Sequence, residues 1–363
     1  MSSLQVGIVG FPNSGKSTLL NALSNAGAQV APYPFTTVDP NIGVVPVPDE
    51  RLGRVAELAQ CSEVVPATVR FIDIAGLVEG ASRGEGLGNR FLASIREVDA
   101  IVHVIRCFES EAVSHVAGSI DPERDAELIE TELRLADLDV LERAISKASR
   151  DAKSGKPDAK ARLEGLHRVA EIISGDEGTK FKEARAIAHE FAKDLGLICI
   201  KPAIVVLNFG HEGVDDAIKA KMQKWADYRG FPLLAINAEI ESEISELDPA
   251  EADEYRQAMG IGESGLGKVV RESYRILGLI TFFSVDSEIC RAWPIPEGTC
   301  ALDAAGKIHT DFMRGFIKAD VVHYDDFLRT GSFSIAREKG CLLVEGKEYK
   351  VCDGDVIHFK FAT

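Results

Sequence analysis

Residues 10–17 read GFPNSGKS and match the phosphate-binding pattern G-x-x-x-x-G-K-[ST]. The stretch follows an apolar run at 6–9 and precedes a helical pattern at 18–26, which is the strand–loop–helix context of this motif. Its glycines let backbone N–H groups converge on phosphate oxygens, and the N-terminus of the following helix adds a favourable dipole. The sequence therefore predicts a loop that binds the phosphates of a nucleoside triphosphate.

Two side chains of this loop carry the predicted chemistry. Lys16 is expected to neutralise the β- and γ-phosphate oxygens, which makes it a catalytic as well as a binding residue. Ser17 offers a hydroxyl group, a hard oxygen ligand suited to Mg²⁺, so Mg²⁺ is the predicted cofactor. The predicted nucleotide-binding residues of the loop are Asn13, Ser14, Gly15, Lys16, Ser17 and Thr18.

A second motif, at residues 71–76, is an apolar strand that ends in D-x-x-G. Asp73 is expected to hold Mg²⁺ through a water molecule, and the N–H group of Gly76 to sense the γ-phosphate. The next residue is Leu77, where Ras-type enzymes place a glutamine that orients the attacking water. Because leucine cannot orient water, either another group has this role or turnover is slow.

The segment between the two motifs has two open interpretations. Residues 34–40 read PFTTVDP and contain two threonines. A threonine here can close over Mg²⁺ when the γ-phosphate is present, as in a switch loop. The other interpretation is an ordinary proline-bounded loop.

Short apolar runs alternate with helical patterns along much of the chain. Such runs, when bounded by turn residues, indicate strands buried on both faces, which is typical of a parallel sheet covered by helices. The predicted fold class is therefore α/β. The clearest runs are residues 6–9, 69–72, 101–105, 203–207 and 233–236.

Two regions depart from this alternation. From residue 124 to about 194 the chain is rich in Ala, Leu, Glu, Lys and Arg, and SGKP at 154–157 breaks the region in two. This pattern predicts an antiparallel helical hairpin inserted into the sheet domain. From residue 279 short strand-like runs with Pro and Gly predict a small separate α+β domain with a mixed sheet. Its predicted strands include residues 280–285, 315–321, 350–351 and 356–361.

Composition and charge limit the class of protein. The chain has 363 residues, seven scattered cysteines without a C-x-x-C pair, and no secretory N-terminal pattern, which together indicate a cytoplasmic protein. Its net charge of −16 opposes non-specific binding to nucleic acid. Residues 143–168 instead have a positive local charge, with eight Lys or Arg and three acidic residues. This basic stretch is either a solvated hairpin tip or a contact to RNA phosphates.

Longer stretches of the sequence resemble the Obg-like, YchF subfamily of P-loop NTPases. The resemblance covers nearly the whole chain. It is carried by GFPNSGKS at 10–17, YPFTTVDPNIG at 33–43, DIAGLVEGASRGEGLGN at 73–89, VIRCFE at 104–109, HVAGSIDP at 115–122, TELRLADLDVL at 131–141, IHTDFMRGF at 308–316 and DGDVIHF at 353–359.

The resemblance implies an architecture of three parts. A Ras-like P-loop NTPase domain at 1–122 and 199–277 is expected to be interrupted by a helical coiled-coil hairpin at 123–198. A ubiquitin-like (β-grasp) TGS domain is expected at 278–363. Family members are ATPases or dual ATP/GTP hydrolases associated with ribosomes, so ATP or GTP and the ribosome are the implied partners. Neither a membrane nor a specific DNA sequence is expected as a partner.

The resemblance also assigns roles to single residues. It implies that Ser17 and Thr37 ligate Mg²⁺ and that Leu77 is an apolar replacement of the catalytic glutamine. It suggests His115 as the catalytic group that positions water, because a histidine near its ordinary pKa can orient water or accept its proton.

The segment that would read the base departs from known patterns. GTPases read guanine with N-K-x-D, whereas residues 208–212 here are NFGHE. The YchF pattern has Glu three residues after Asn, but here that position is His211 and the glutamate is Glu212. Asn208 and Glu212 are the predicted base-side residues, and Ala238 is expected to flank the base from the other side. ATP is favoured over GTP.

Several functions stay open at the level of sequence. The favoured one is a slow NTPase switch whose output is binding to the ribosome or to a translation factor. A GTP-specific switch, a metabolic kinase that uses the same phosphate loop, and a nucleotide-binding adaptor with negligible turnover are the alternatives.

Overall fold

Two six-stranded sheets frame the part of the chain that the computed structural model describes, residues 4–30, 41–74, 87–110, 118–175, 178–286 and 288–362. The strands are β1 (Gln5–Val9), β2 (Ile42–Pro46), β3 (Glu63–Val65), β4 (Thr68–Asp73), β5 (Ala100–Cys107), β6 (Ala203–Phe209), β7 (Leu233–Ile236), β8 (Leu279–Val285), β9 (Ile289–Pro296), β10 (Phe316–Val322), β11 (Leu343–Glu345) and β12 (Val356–Phe361). The helices are α1 (Lys16–Val30), α2 (Glu50–Ala59), α3 (Leu87–Glu97), α4 (Pro122–Lys153), α5 (Ala159–Ser174), α6 (Phe181–Phe191), α7 (Asp216–Arg229), α8 (Ala238–Ile244), α9 (Pro249–Ala258), α10 (Gly265–Ile276), α11 (Ala301–Ile308), α12 (Thr310–Arg314), α13 (Tyr324–Thr330) and α14 (Phe333–Glu338).

The first sheet has the order β2-β4-β1-β5-β6-β7. All of its neighbouring strands are parallel except β2, which pairs antiparallel to β4 at the edge. The five apolar runs of the sequence lie within β1, β4, β5, β6 and β7, so the prediction of a parallel sheet is confirmed. The carboxyl end of β1 leads directly into the phosphate loop, at the edge of the sheet where α/β proteins bind ligands.

The helical insertion begins with α4, whose 32 residues span about 48 Å. Pro122 stands in its first turn, and the side chain of the N-cap residue Asp121 accepts a hydrogen bond from Arg124 N. Gly155 and Asp158, both with positive φ, reverse the chain into α5. The hairpin of the sequence is confirmed, although its return limb is divided into α5 and α6 rather than continuous.

The second sheet has the order β11-β10-β12-β8-β9-β3. β8 and β9 form an antiparallel hairpin, β12 pairs parallel to β8, and β10 runs antiparallel to β12 and β11. With α11 following the first hairpin, these five strands have the β-grasp arrangement that the family resemblance implied. The predicted strand at 350–351 is wrong, because Lys350 forms only an isolated bridge with Cys300.

The sixth strand of this sheet comes from the N-terminal part of the chain. β3 pairs parallel to β9, with Glu63 opposite Ile289 and Val65 opposite Arg291. Next to this pairing, the Arg51 guanidinium of α2 lies 2.8 Å from the Asp353 carboxylate. The N-terminal part of the chain therefore contributes one strand to the C-terminal sheet.

None of the helices in the described ranges combines the length and the apolar character that a membrane span needs.

Candidate functional site

The phosphate loop requires glycine at two positions. A Cβ atom on Gly10 would lie 2.4 Å from the carbonyl oxygen of Val104, and one on Gly15 would lie 2.1 Å from Nδ2 of Asn208. Gly15 also has φ of +93°, a left-handed conformation that side chains disfavour. The loop is therefore pressed against β5 and β6, which fixes its shape.

Lys16 lies with its ammonium group inside the loop. Its side chain is 7% exposed, and Nζ donates a hydrogen bond to the carbonyl oxygen of Phe11 at 2.8 Å. Burial lowers the pKa of Lys16, and the nearby Asp73 carboxylate opposes this effect. A phosphate oxygen is a charged acceptor and forms a stronger hydrogen bond to an ammonium group than a carbonyl does. Lys16 is thus placed to exchange Phe11 for phosphate.

Ser17 and Asp73 meet at the start of α1. Ser17 Oγ donates a hydrogen bond to Asp73 Oδ2 at 2.6 Å, while Asp73 Oδ1 is buried without a hydrogen-bond partner among the described residues. A hydroxyl and a carboxylate with an unsatisfied oxygen are ligands that suit Mg²⁺. No group of three or more His, Cys, Asp or Glu side chains in the described ranges could hold a metal ion. The donor chemistry of Ser17 and Asp73 by itself fits a Mg²⁺ ion.

Asn208 joins the phosphate loop to the loop after β7. It is 5% exposed, its Nδ2 donates to Ser14 O at 2.9 Å, and its Oδ1 accepts from Ala238 N at 3.0 Å. The sequence predicted these three residues around one nucleotide, and the structure brings them into direct contact. This bridge was not foreseen, because neither of its bonds is visible in a local sequence pattern.

The other predicted residues of the base side and of the loop lie at the surface. Glu212 is exposed on the turn that Gly210 and Gly213 close, and this turn follows the end of β6. Asn13 and Thr18 are also exposed, on the loop and on the first turn of α1.

Sequence reasoning gave no role to Phe108, which lies beside this turn. Its Cβ is 3.2 Å from the position that a Cβ on Gly210 would take. The Arg106 guanidinium lies over the Phe108 ring, 4.5 Å from the ring centre, and its Nε donates to Phe108 O at 3.0 Å. The signal that could have found this residue is its position directly after β5, level with the base-side segment.

Three predicted residues lie outside the described ranges. They are Thr37, Gly76 and His115. Leu77, the residue in place of the catalytic glutamine, is outside them as well. Their assigned roles stay predictions.

The parallel sheet, the phosphate loop at its carboxyl edge and the Lys16, Ser17 and Asp73 cluster define a P-loop nucleoside triphosphatase. Residues 5–141 match the family described as "50S ribosome-binding GTPase". Residues 279–362 match the YchF-GTPase_C family, described as "Protein of unknown function (DUF933)".

Whole-length relatives give the family. The chain is 46% identical over 356 residues to the ribosome-binding ATPase YchF of Pasteurella multocida, covering 98% of each chain. It is 44% identical over 363 residues to the protein of the same name from Bacillus subtilis, covering 99% of each. The structure of the Schizosaccharomyces pombe YchF GTPase superposes with a TM-score of 0.87 at 32% identity, over 99% of this chain and 98% of that one. The chain belongs to the YchF family.

Proposed function

We propose that this chain is a cytoplasmic, Mg²⁺-dependent ATPase that acts as a slow switch on the ribosome. The observation that carries the proposal is the cluster of Lys16, Ser17 and Asp73 at the phosphate loop, with the 2.6 Å hydrogen bond between hydroxyl and carboxylate. The relatives named ribosome-binding ATPases support the ribosomal partner. The division into an NTPase domain, a helical insertion and a TGS domain belongs to the same proposal.

Lys16, Ser17 and Asp73 have different roles toward the phosphates and Mg²⁺. Lys16 exchanges the carbonyl oxygen of Phe11 for phosphate oxygens and stabilises their charge. Mg²⁺, when bound, neutralises charge that develops on the β- and γ-phosphates. Ser17 and Thr37 would hold this ion through their hydroxyl oxygens, and Asp73 would accept a hydrogen bond from water.

The attacking water needs a group that orients it. With Leu77 in place of a glutamine, we assign this role to His115 and expect slow turnover. His115→Ala should slow hydrolysis while leaving nucleotide affinity nearly unchanged. An equal loss of affinity and rate would make His115 a structural residue.

The base side favours adenine. Phe209 and His211 stand where N-K-x-D has Lys and Asp, so no carboxylate at that position can accept hydrogen bonds from guanine N1–H and its amino group. Both ends of the Asn208 side chain are engaged with protein backbone. Glu212 and backbone carbonyls of its turn remain as acceptors for the adenine amino group. Phe108 is a candidate for packing against the base.

A competition titration of ATP and GTP against a fluorescent nucleotide, with Mg²⁺, tests the choice of base. We expect ATP to bind more tightly, and equal or tighter binding of GTP would make this chain a GTP-specific or dual switch. A turnover assay on the same samples tests hydrolysis, and Lys16→Ala should abolish it without unfolding the protein. Unchanged turnover in this variant would overturn the assigned site, and binding without turnover in the unaltered chain would indicate an adaptor.

A further inference from the structure

Two buried carboxylates anchor α4 to the nucleotide-binding core. Glu130 is 7% exposed and Asp137 is 0% exposed. They are seven residues apart on one helix, so they lie on the same face, separated by about two turns. Each of them receives an arginine from a different helix of the core.

Asp137 connects α3 to the outgoing helix of the insertion and to the chain that returns from it. Its Oδ1 accepts from Arg96 Nη1 at 3.0 Å, and its Oδ2 accepts from the backbone N–H groups of Ile198 at 2.6 Å and Cys199 at 2.9 Å. Arg96, near the end of α3, also donates to Gly196 O at 3.0 Å. One ion pair therefore holds α3, the outgoing helix α4 and the returning chain together.

Lys201 fixes the end of α3 from the returning chain. Its Nζ donates to the carbonyl oxygens of Ile95 at 2.9 Å and Arg96 at 2.8 Å. Carbonyl groups at the last turn of a helix lack partners within the helix, so a lysine there satisfies them. The end of α3 cannot shift without moving residues 195–201.

Glu130 connects α4 to α7 on the base side. Its Oε2 accepts from Arg229 Nε at 2.5 Å, and the Arg229 guanidinium lies 4.1 Å from the centre of the Trp225 ring. Arg229 is the last residue of α7, which lies between the turn at 210–213 and β7. β7 leads to Ala238, whose N–H group is bound to Asn208.

An apolar path also joins the phosphate loop to the same face of α4. One buried cluster contains Phe11 of the phosphate loop, Ile74 beside Asp73, Phe91 of α3 and Ile129 of α4. The carbonyl group of Phe11 is the one that Lys16 binds. If Lys16 exchanges its partner, the change therefore acts on Phe11, which is packed in the same core as the first part of α4.

The ion pairs are not explained by stability alone. Taking two charges out of water has a desolvation cost that often cancels their attraction, and well-packed apolar residues can replace such pairs without loss. What a buried pair does supply is a fixed geometry, since it tolerates only one arrangement of its partners. Here that geometry sets the direction of α4 relative to α3 and α7.

We propose that the Arg96–Asp137 and Arg229–Glu130 pairs make the helical insertion a lever, so that the nucleotide bound at the phosphate loop sets the position of its tip. The inference rests on the proposed function, because it needs nucleotide binding at this loop. The tip at Lys153 is about 24 Å along the helix from Asp137, so a tilt of about 10° moves it by about 4 Å.

The test measures the distance between spin labels on the full chain, carried by unnatural amino acids at Lys153 on the tip and at Glu57 on α2. We expect the distance to differ by up to about 4 Å between the states with Mg²⁺–ADP and with Mg²⁺ and a non-hydrolysable ATP analogue. Arg96→Met with Asp137→Asn, which keeps an acceptor for the backbone N–H groups, should abolish most of this difference. Arg229→Met with Glu130→Gln tests the second pair independently, should the first variant fail to fold.

A control variant removes an ion pair that lies on the surface of α4. Arg143→Met with Asp139→Asn breaks a pair whose side chains are 70% and 64% exposed, and it should leave the difference in distance intact. Nucleotide binding is titrated on every sample. An unaltered chain that binds both nucleotides at one distance would overturn the lever, as would a full difference in both double variants. A chain that binds neither nucleotide would instead overturn the proposed function.

Discussion

At the phosphate loop, the groups that would meet a nucleotide already have partners in the protein. Lys16 binds the carbonyl oxygen of Phe11, and Ser17 binds Asp73. These contacts hold both side chains near the positions from which they would bind phosphate and Mg²⁺. Binding then exchanges partners instead of ordering free side chains, which lowers its entropic cost.

Asp73→Asn tests the metal side of this cluster. The amide keeps an oxygen for Ser17 but removes the charge that attracts Mg²⁺, so we expect the Mg²⁺ requirement to rise, or turnover to fall, by about 10- to 100-fold. Turnover measured over a Mg²⁺ titration gives both quantities. Asp99→Asn is the control, since this carboxylate accepts from Gln5 N at the opposite end of β1. The same Mg²⁺ dependence in both variants would place the ion away from Asp73.

His103 makes stability depend on pH. Burial, with a smaller contribution from the nearby Arg229 charge, lowers its pKa from 6.5 to about 4. The unfolded chain therefore binds a proton between pH 6.5 and 4 that the folded chain does not, so stability is complete above pH 6.5 and falls on acidification. We expect this residue to remove about 2 kcal/mol from the free energy of unfolding between pH 7.5 and 5.

Urea unfolding at these two pH values, compared with His103→Leu, isolates the effect from that of the other histidines. The variant should lose less stability on acidification than the unaltered chain. An identical loss in the two proteins would show that the pKa of His103 is the same in the folded and the unfolded chain.

The elements that could be predicted from the sequence are those whose own residues carry a clear local pattern of apolar side chains. β7 was predicted over its full length, because a run of apolar residues between turns is a sufficient signal. β3 was not predicted, because its three residues EVV are mostly exposed and become a strand only beside β9, more than 200 residues away. β2 was missed for a related reason. Its glycine and proline argue against a strand in the sequence, and they are tolerated only because β2 lies at the edge of the sheet.

The candidate site shows the same division. The phosphate loop is a contiguous motif and could be predicted, as could Asp73 at the end of β4. The bridge from Asn208 to Ser14 and Ala238 needs β6 and β7 to lie beside the loop, which no local pattern reveals. Phe108 was missed because its neighbour Gly210 is distant in sequence.

The tip of the arm has both paired and unpaired basic residues. Arg143, Lys156, Arg162 and Arg168 form ion pairs with acidic neighbours. The exposed basic residues of the tip that form no ion pair within the described ranges are Lys147, Arg150, Lys153 and Lys160. The second set is the better candidate for contact with RNA phosphates.

Lys153→Glu with Lys160→Glu should therefore weaken binding to ribosomes and reduce its dependence on salt, because fewer phosphate contacts release fewer counterions. Co-sedimentation with ribosomes across a salt series measures both effects. Lys339→Glu with Lys347→Glu makes the same change of charge at exposed positions of the C-terminal sheet region and is the control. Equal losses in the two variants would show a general effect of charge, and no loss would leave the tip as a solvated surface.

On the scale of the whole molecule, the N- and C-terminal parts share one core. A single buried cluster contains Leu52 and Val55 of α2 together with Phe283, Val322 and Val356 of the C-terminal sheet. The pairing of β3 with β9 and the contact between Arg51 and Asp353 cover the same junction. We therefore expect the two parts to unfold together.

Glu63→Pro tests this junction. Proline removes the hydrogen bond from Glu63 N to Glu288 O, which is 2.9 Å long, and the loss should lower the free energy of unfolding by about 1–3 kcal/mol. Glu63→Ala keeps the N–H group and should be near neutral. Because Trp293 lies in β9 itself, Trp293→Phe is introduced in every sample so that fluorescence reports Trp225 in the core. Urea unfolding followed by this fluorescence and by hydrogen exchange in β9 should give one shared transition. A separate early transition of β9 would show that the C-terminal part folds on its own.

The position of β12 has a consequence for the order in which the protein can be built. Among the described strands of the C-terminal sheet it is synthesised last, yet it lies in the middle, between β10 and β8. While the chain is still being translated, β3 has no partner strand until β9 has been made. β8 and β10 have no strand between them until β12 has been made. The C-terminal sheet beside the NTPase part therefore stays incomplete until residue 361 has left the ribosome. A nascent chain that stalls before that point exposes apolar surface that chaperones recognise.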